Sequence, residues 1–456
     1  MTTRYGQKAM ALGFVLTLLL VACGEPQVVE DGDDDAADPG GETLADDAAP
    51  EDGDEDEEVE IEEAPDGGLA MWSRAGDVGQ FSEYLVEQWN ETHDAQIAIT
   101  IIPNDQYITR TGTAAAAGEL PDLLGVDLIY MPDFNSAGLM MDVTDRVQAM
   151  SFADSLSPAH MDLGEWGGAH HSVPLSIDTS GMVYDKDLFE EAGLDPESPP
   201  SSLEEVEEAA KAISDLGDDV YGLYFAGACG GCFIFTYTPT IWAQDGDILT
   251  DDDPPQATFD SPEVEESLTW LKGMWEQGLV PEGAIGDDGA TWLSTFMAED
   301  IGIMFCGSFC PSAFASDAPD LNYGVGFIPG PDGGESSFAG GDVVGISRDA
   351  QDPDLAWEFI EWMLSEEVQL EHFAAQGQLV SRTDLADNEH ADDITGLFNE
   401  ATAIGQTPKT LGFNEMINDP NGPWLEMWQT AVFEGDVEGA MAEAQERAQG
   451  IIDLAQ

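Results

Sequence analysis

A regular alternation of strand-like and helix-like segments constrains the fold of this chain more than any other feature of its sequence. Apolar runs rich in strand-forming residues occur at Leu69–Ser73, Gln96–Ile102 and Leu120–Val126. Between the first two runs, Gln80–His93 carries apolar residues at helical spacing. This β-α-β-α-β order is typical of a doubly wound α/β sheet. Because ligands bind beyond the carboxyl ends of the strands in such sheets, we expect binding residues just after the predicted strands.

The rest of the chain continues this alternation and is long enough for more than one domain. His170–Tyr184 is strand-like but contains Pro174, which indicates an edge strand or a passage between domains. Further strands are predicted at Tyr221–Phe225 and Ile301–Phe305, and a long amphipathic helix begins near Asp352. A length of 456 residues accommodates two or three domains.

The charge balance restricts the partners of this protein. The chain carries 93 acidic and 12 basic residues, a formal net charge of −81. So negative a surface repels phosphate groups, which argues against binding to nucleic acid or to an anionic membrane surface. Self-repulsion on this scale opposes compaction unless salt screens it, and the Debye length falls to about 3 Å at 1 M salt. We therefore predict a halophilic or salt-tolerant source.

The N-terminus has the pattern of an export signal. Arg4 and Lys8 precede an apolar run, Ala9–Ala22, that is shorter than the ~20 residues of a membrane span. The sequence LVAC that ends at Cys23 resembles the lipobox of bacterial lipoproteins. This resemblance implies a lipoprotein signal peptide at residues 1–22 and a lipidated Cys23. An ordinary signal peptide followed by a chance cysteine is the alternative.

The segment after the signal predicts a tether. Residues 23–66 are rich in Asp, Glu, Pro, Gly and Ala and contain no Lys or Arg. Such a segment cannot bury enough apolar surface to fold, and its charges repel one another. We expect a disordered acidic tether and a folded body held at the outer face of the cytoplasmic membrane by the lipid on Cys23 alone.

The remaining cysteines fit an exported protein. Cys229, Cys232, Cys306 and Cys310 form an even set, which in an oxidising compartment favours two disulfides with three possible pairings. A zinc site of four thiolates is an alternative, because both pairs have tolerable ligand spacing. A redox-active CxxC motif is a weaker one.

No signature of catalysis or of cofactor binding occurs in the sequence. It contains no GxSxG elbow, Walker A loop, HExxH motif or Rossmann glycine pattern, and the adjacent pair His170-His171 suits no zinc motif. We therefore predict that the protein holds no cofactor and no metal.

Four further stretches carry motifs: Gly138–Asp145, Val173–Leu194, Phe338–Ile346 with the following Ala356–Ile360, and Gly435–Ala444. In this order they resemble the carbohydrate-binding extracellular solute-binding proteins of ABC importers, the family that includes maltose-binding protein. Two positions depart from the family pattern: Asp185 replaces the usual Asn, and Met441 replaces the usual Leu. The resemblance spans residues 69–456.

The resemblance implies an α/β fold of the two-lobed, type II-like periplasmic-binding-protein class, in which each lobe is a sheet flanked by helices. It places the N-terminal lobe at residues 69–178 plus 325–370 and the C-terminal lobe at residues 179–324 plus 371–456. The first crossing between the lobes is expected near Asp178–Gly181. A return crossing is expected at Tyr323–Ile328, where Gly324 and Gly326 would absorb the hinge rotation.

Candidate binding residues follow from the chemistry of a buried sugar. Hydroxyl groups need matched polar partners, and the C–H faces of the ring favour aromatic platforms. Most candidates of these kinds, with small residues beside them, end or follow predicted strands or lie in the expected hinge, whereas Trp242 lies in the segment after Cys232 and Trp292 begins a predicted helix after Gly289. The candidates are Trp72, Ser73, Asp127, Asp178, Thr179, Trp242, Trp292, Gly307, Ser308, Gly341 and Asp342.

By this resemblance the protein is a non-catalytic receptor that captures a sugar or oligosaccharide between its lobes and delivers it to the permease subunits of an ABC transporter. One alternative is an exported glycoside hydrolase, which would need two carboxyl groups about 5–10 Å apart across the sugar. Another is a receptor for a cationic ligand such as a polyamine, whose amines several acids would surround.

Overall fold

The computed structural model describes residue 59, residues 61–298 and residues 300–456. The predicted signal peptide, Cys23 and most of the predicted tether lie outside the described residues. The last residues of that tether, 61–66, are exposed and form neither helix nor strand. Among the described residues, none of the helices has both the length and the apolar character that a bilayer span requires.

Twelve strands and sixteen α-helices alternate along the described residues. The strands are β1 (Leu69–Arg74), β2 (Ile97–Ile102), β3 (Leu123–Asp127), β4 (Glu165–Trp166), β5 (Ala169–His170), β6 (Val173–Asp185), β7 (Tyr221–Tyr224), β8 (Ile301–Gly307), β9 (Tyr323–Gly326), β10 (Ile328–Gly330), β11 (Gly333–Ser336) and β12 (Ala339–Ile346). The helices are α1 (Asp77–Thr92), α2 (Asn104–Ala117), α3 (Met131–Ser136), α4 (Thr144–Ala149), α5 (Pro158–Gly164), α6 (Lys186–Glu191), α7 (Leu203–Ser214), α8 (Gly230–Trp242), α9 (Pro262–Glu276), α10 (Trp292–Ala298), α11 (Cys310–Asp317), α12 (Pro353–Met363), α13 (Glu366–Val368), α14 (Asp393–Ala401), α15 (Pro423–Gln429) and α16 (Val437–Ala455). Short 3₁₀ or π turns lie at Leu128–Tyr130, Ala153–Ser155, Glu282–Gly286, Gln369–Phe373, Ala374–Gln376, Thr383–Leu385, Asn414–Asn418 and Thr430–Glu434.

Side-chain caps fix where several of these helices begin. The hydroxyl of Ser202 accepts a hydrogen bond from the N–H of Glu205 (3.1 Å) at the start of α7. Ser261 accepts in the same way from the N–H of Val264 (3.3 Å) at the start of α9. Each cap satisfies a backbone donor that the first turn of a helix leaves without a partner.

The central sheet has eight strands in the order β2-β1-β3-β12-β6-β8-β7, and β9 pairs with β6 outside this path. β1 runs parallel to β2 and β3, whereas β12 is antiparallel to β3 and β6. β6 is antiparallel to β8 and β9, and β7 is parallel to β8. The predicted β-α-β-α-β opening therefore forms three parallel strands at one end of this sheet.

β6 joins two half-sheets, and each half-sheet has its own core. Its residues 173–179 pair with β12, and its residues 180–185 pair with β8 and β9. Leu85 of α1 and Phe359 of α12 are buried in the core of the first half, and Val206 of α7 and Trp428 of α15 are buried in that of the second. The chain therefore has two lobes that share one long strand. Pro174 lies within this shared strand, opposite a register shift in β12, so the expected passage between domains is present.

The return crossing lies later in the chain than the sequence predicted. Tyr323–Gly326 forms β9 and pairs with Met182–Asp185, so this segment stays in the second half-sheet. A Cβ at Gly324 would collide with the ring of Tyr184, which shows that this glycine permits close packing. The chain rejoins the first half-sheet only at β12, which begins two residues after Ser337, whose hydroxyl accepts from the N–H of Ser180 (3.0 Å).

The last predicted boundary between the lobes, at residue 371, also differs from the one in the structure. Phe373 is buried in the core of the first half, and the carbonyl of Ser381 accepts from the N–H of Ser157 (3.0 Å). Phe413 is buried in the core of the second half, so the final crossing falls between these points. We propose an N-terminal lobe of residues 69–179 plus 339–382 and a C-terminal lobe of residues 180–336 plus 413–456.

Candidate ligand-binding cleft

A cavity of about 350 Å³ lies between the two lobes, at the carboxyl ends of β1, β2 and β3. From the N-terminal lobe it is lined by Arg74, Asn104, Tyr107, Ile108, Asp127, Ile129 and Tyr130. From the crossing strands and the C-terminal lobe it is lined by Asp178, Gly231, Ile234, Phe235, Phe338, Gly340, Gly341, Phe413 and Asn418. This is the position where open α/β sheets bind ligands, and the volume is at the lower end of the ~300–1,000 Å³ typical of ligand sites.

Arg74 and two carboxylates form the charged group of this cleft. Arg74 Nε donates to both carboxylate oxygens of Asp342 (2.9 and 3.0 Å), and its Nη2 donates to Asp342 Oδ1 (2.6 Å). The same Nη2 lies 3.4 Å from Asp127 Oδ2. The Asp342 side chain is fully buried, whereas those of Arg74 and Asp127 are 26% and 24% exposed. Asp342 therefore binds the guanidinium on its buried side, and the carboxylate of Asp127 forms part of the cavity wall.

Burial and charge act in opposite directions on this group. Burial raises the pKa of Asp342, and the charge of Arg74 opposes that rise. Burial likewise raises the pKa of Asp127, against the attraction of Arg74 and a hydrogen bond from the N–H of Ile129. Burial acts to lower the pKa of Arg74, but its two carboxylates outweigh that effect and raise it, so Arg74 is a permanent cation.

Asp178 connects the lobes at the edge of the cavity. It lies on β6 next to the crossing point, and its Oδ1 accepts hydrogen bonds from the hydroxyl (2.5 Å) and the N–H (3.1 Å) of Ser308. Burial raises the pKa of Asp178 to about 6, while the bonds from Ser308 and the charge of Arg74 act against the rise. This carboxyl group thus binds the loop after β8 to the crossing strand.

Aromatic side chains supply the flat surfaces of the cleft, and they are Tyr and Phe instead of the predicted Trp. Tyr107 is buried, and its hydroxyl donates to the carbonyl of Gly125 (2.6 Å). Tyr130 follows β3 on the same side. On the other side, the rings of Phe235 and Phe338 lie 5.3 Å apart between centroids. Such rings pack against the C–H faces of a sugar and leave its hydroxyls to the polar groups.

Five of the sequence-predicted residues meet at this cleft. Asp127, Asp178 and Gly341 line it, Asp342 supports Arg74, and Ser308 acts through Asp178. Gly341 has φ +103°, and a Cβ there would collide with the carbonyl of Ser176, so the wall needs glycine at this point.

The other predicted residues lie elsewhere. Trp72 and Trp292 are buried in the cores of the two lobes, and Ser73 is fully buried with its hydroxyl 3.2 Å from that of Ser82. Thr179 points away from the cleft and donates to the carbonyl of Phe398 (3.0 Å). Gly307 is buried at the end of β8. Trp72, Ser73 and Thr179 lie within strands, Gly307 ends β8 and Trp292 begins α10, and all five are buried.

Trp242 lies in a second, larger cavity of about 1080 Å³, and its Nε1 donates to Asp247 (3.1 Å). This cavity is bounded by α5, the β4–β5 hairpin with the exposed Trp166, residues 249–255 and residues 405–411. It contains neither Arg74 nor Asp127. The charged group of the first cavity is therefore separate from the predicted tryptophan.

Sequence reasoning missed Arg74, Tyr107, Tyr130, Phe235 and Asn418. The first was within reach, because Arg74 ends β1 and is one of few basic residues in the chain. Tyr130 also follows a predicted strand closely. Phe235 and Asn418 carry no such signal, since they come from the interior of α8 and from a turn near residue 414.

The four cysteines form two local bridges, Cys229–Cys232 and Cys306–Cys310. The described part of the chain contains no cluster of three or more His, Cys, Asp or Glu side chains arranged to hold a metal ion. The alternative of a zinc site with four thiolates has no counterpart here, because each cysteine is bonded to the other cysteine of its own pair.

Two α/β lobes that share a strand and enclose a polar and aromatic cleft define a ligand-binding protein of the periplasmic-binding type. The chain belongs to the bacterial extracellular solute-binding protein family, whose model matches residues 84–399. Members of this family bind solutes and are not enzymes, and its extracellular character means that the protein is exported. The predicted family, fold class and absence of enzyme activity are confirmed.

Three similar proteins share about a quarter or less of their sequence with this chain. A binding protein of Brucella abortus (strain 2308) is 25% identical over 272 residues, which cover 59% of this chain and 64% of the relative. A maltotriose-binding protein of Pyrococcus abyssi is 24% identical over 261 residues, 55% of this chain and 52% of the relative. The crystal structure of the sugar-binding protein MalE from Xanthomonas citri superposes with a TM-score of 0.75 at 22% identity, covering 85% of this chain and 98% of that one. The matched part of the chain spans between half and two thirds of the length of the Brucella and Pyrococcus proteins.

Proposed function

We propose that this protein captures an uncharged sugar in the cleft between its lobes and delivers it to the permease of an ABC importer. The observation that carries the proposal is the meeting of Arg74, Asp127 and Asp178 with the rings of Tyr130 and Phe235 in one cavity. A carboxylate accepts two hydroxyl hydrogens, a guanidinium donates to hydroxyl oxygens, and the rings cover the C–H faces.

The charges of the cleft favour a neutral ligand. Its only cation among the lining residues is Arg74, which is already bonded to Asp342 and lies near Asp127. A phosphate or carboxylate ligand would meet a group whose net charge is already negative and would find no free cation. The names of two similar proteins, a maltotriose-binding protein and the sugar-binding MalE, support a carbohydrate.

The amine-binding alternative has no support. Asp127 and Asp178 are the two carboxylates among the lining residues, and the charge of Asp127 is already offset by Arg74. None of the relatives described above is named for an amine. Burial of an amine against Arg74 would also place two cations in contact.

Delivery requires that the lobes move. The two lobes share β6, and the chain passes between them near residues 179, 338 and 383–412, so a rotation about these segments would close the cleft on its ligand. Closure then depends on the higher affinity of the closed form for the ligand. The closed form is the species that we expect to dock on the permease.

The export apparatus completes the proposal. We infer that residues 1–22 are removed as a lipoprotein signal peptide, that Cys23 is lipidated, and that the acidic residues 23–66 act as a tether to the membrane. The net charge of −81 supports a salty environment, where counterions screen self-repulsion. Mass spectrometry of the protein from the membrane fraction tests whether Cys23 carries a lipid. A Cys23→Ser variant is the control, and we expect it to be released into the medium.

A thermal-shift screen in 2 M salt tests the ligand class. We expect a neutral mono- or oligosaccharide to raise the Tm, since a ligand at 100 times its Kd stabilises the folded state by about 2.7 kcal/mol. Spermidine and glycerol 3-phosphate serve as the cationic and anionic probes. A shift with either of them and with no sugar would refute the proposal, as would release of reducing ends from a bound oligosaccharide.

A further inference from the structure

Each disulfide encloses a residue that either lines the cleft or supports a residue that lines it. The CGGC ring (residues 229–232) encloses Gly231, which lines the cavity beside Asn418. The CGSFC ring (residues 306–310) encloses Ser308, whose hydroxyl and N–H bond to Asp178. The two rings therefore surround two of the points at which the C-terminal lobe contacts the cleft or the crossing strand.

The CGGC ring sets the direction of α8. Cys229 precedes the helix, and its Sγ accepts from the N–H of Cys232 (3.0 Å) in the first turn. The next turn of the helix contributes Ile234 and Phe235 to the cavity wall. The orientation of this wall thus depends on how firmly residues 229–232 are held.

Close packing requires small residues at this ring. A Cβ at Gly230 would collide with the carbonyl of Ile417, and a Cβ at Gly289 would lie 3.1 Å from Cys232 Sγ. Two consecutive glycines have more backbone freedom than any other pair of residues, which favours disorder in an open chain. The bridge removes this freedom without adding a side chain to the crowded wall.

The CGSFC ring packs near the same aromatic side chain, that of Phe235. Gly307 is the last residue of β8, and a Cβ there would collide with the ring of Phe309 and lie 2.9 Å from that of Phe235. The rings of Phe235 and Phe309 lie 6.4 Å apart between centroids. Both disulfide rings therefore support the ring of Phe235, one through its helix and the other through its neighbour.

Neither bridge connects distant parts of the fold. The cysteines of the two pairs are separated by only 3 and 4 residues in sequence. The stabilisation that a disulfide gives by restricting the unfolded chain grows with the length of the enclosed loop, so these bridges gain less in this way than long-range ones. Their strongest effect is on the local order of the residues that they enclose.

We propose that the Cys229–Cys232 and Cys306–Cys310 bridges are positioning elements that preorganise the ligand-contacting wall of the C-terminal lobe. For its ligand this inference rests on the proposed sugar-binding function. The bridges hold Gly231, Phe235 and Ser308 in their binding arrangement before a ligand arrives. Loss of a bridge therefore weakens ligand binding more than it weakens the fold.

Amide hydrogen exchange of the ligand-free protein tests the preorganisation without any ligand. The variants are Cys229→Ser/Cys232→Ala, in which serine keeps the helix cap, and Cys306→Ala/Cys310→Ala, which leaves small apolar side chains at two buried positions. We expect faster exchange within residues 230–233 in the first variant and within residues 307–309 in the second. Unchanged exchange in these segments would overturn the inference, whether or not a ligand is known.

Calorimetric titration with the sugar found by the screen tests the effect on binding. We expect the Kd of each variant to rise about tenfold or more, because backbone freedom returns to two or three residues of the wall. The Tm of the ligand-free protein should fall by less than about 2 °C. The matched control is Ser261→Ala, which removes the cap of α9 in the same lobe and should lower the Tm without changing the Kd.

The outcomes separate the two proposals. A Kd change no larger than that of Ser261→Ala would overturn the positioning role while the sugar-binding function stands. An oxidised wild-type protein that binds no sugar would contradict the proposed function, and the exchange measurement would still decide the preorganisation. If a double variant fails to fold, reduction of the folded wild-type protein with tris(2-carboxyethyl)phosphine replaces it, with the partly exposed Cys229–Cys232 bridge expected to open first.

Discussion

Replacement of Arg74 by methionine would remove the only cation that contacts two carboxylates in the cleft. The Asp342 side chain is fully buried and receives three hydrogen bonds from Arg74, so the variant would leave an uncompensated buried charge. Removal of one partner from a buried ion pair costs about 3–5 kcal/mol of folding free energy. Asp127 contributes less to this cost, because its side chain is 24% exposed and water can reach it.

The cost should depend on pH in a defined direction. Without the opposing charge and hydrogen bonds of Arg74, burial and the charge of Asp127 both raise the pKa of Asp342, so its pKa in the folded state rises further above the value of about 3.9 in the unfolded chain. A group with a raised folded pKa loses its contribution to stability as the pH rises through that value, at about 1.4 kcal/mol per unit of pKa difference. The deficit of Arg74→Met should therefore be largest near pH 8 and should shrink toward pH 5, where Asp342 takes up a proton.

Urea unfolding followed by tryptophan fluorescence in 2 M salt measures this deficit at both pH values. The matched control is Arg146→Met, because Arg146 pairs with Asp354 (2.6 Å), whose side chain is 92% exposed. That variant should cost less than about 1 kcal/mol at either pH. A deficit for Arg74→Met that equals the control, or one that does not change between pH 5 and pH 8, would refute the assignment of a buried ion pair behind the cleft.

Three further predictions address the cleft and its hinge. Asp127→Asn should raise the Kd for the sugar by roughly tenfold in calorimetry, since a charged acceptor bond is worth about 1.5–3 kcal/mol, while Asp145→Asn on the surface should leave it unchanged. Gly341→Ala should lower the free energy of unfolding by about 2 kcal/mol or more in urea titrations, because φ is +103° and the new Cβ meets the backbone; full stability would contradict this. Asp178 has a folded pKa of about 6, above its unfolded value, so it makes the wild-type protein less stable as the pH rises from about 4 to about 6. An Asp178→Asn variant should lose less stability over the same rise in pH in the same titrations.

The strand pattern predicted the fold because it depends on local periodicity that tertiary contacts preserve. The opening strands of the sheet, the long strand with Pro174 and the family resemblance all pointed to two lobes, and the family and fold class are confirmed. The rule that ligands lie beyond strand ends also found Asp127 and Gly341, since both end or interrupt strands at the cleft.

Trp72 lies in a core instead of the predicted cleft for a geometric reason. β1 ends at Arg74, one residue later than the sequence indicated, so the residue that reaches the cleft is Arg74 and Trp72 lies two positions inside the core. Side chains two apart on a strand share a face, and their depth depends on where the strand ends. No local pattern fixes that end to within one residue.

The glycines of the expected return crossing misled for a related reason. Gly324 and Gly326 suggested hinge freedom, but they lie in β9, where Gly324 permits contact with Tyr184. A glycine serves backbone freedom in one setting and close approach in another, and only the packing partner decides between them. The same holds for Phe235, whose place in the cleft follows from the orientation of α8.

The position of β12 in the sheet has a consequence for biogenesis. This strand lies between β3 and β6, yet it is made some 200 residues after β3, so the N-terminal half-sheet lacks one of its inner strands until three quarters of the chain has been synthesised. Pairings so distant in sequence form slowly, because the long intervening loop must close first. We therefore expect the first sheet to stay incomplete until late in synthesis, which favours export of this protein in an unfolded state.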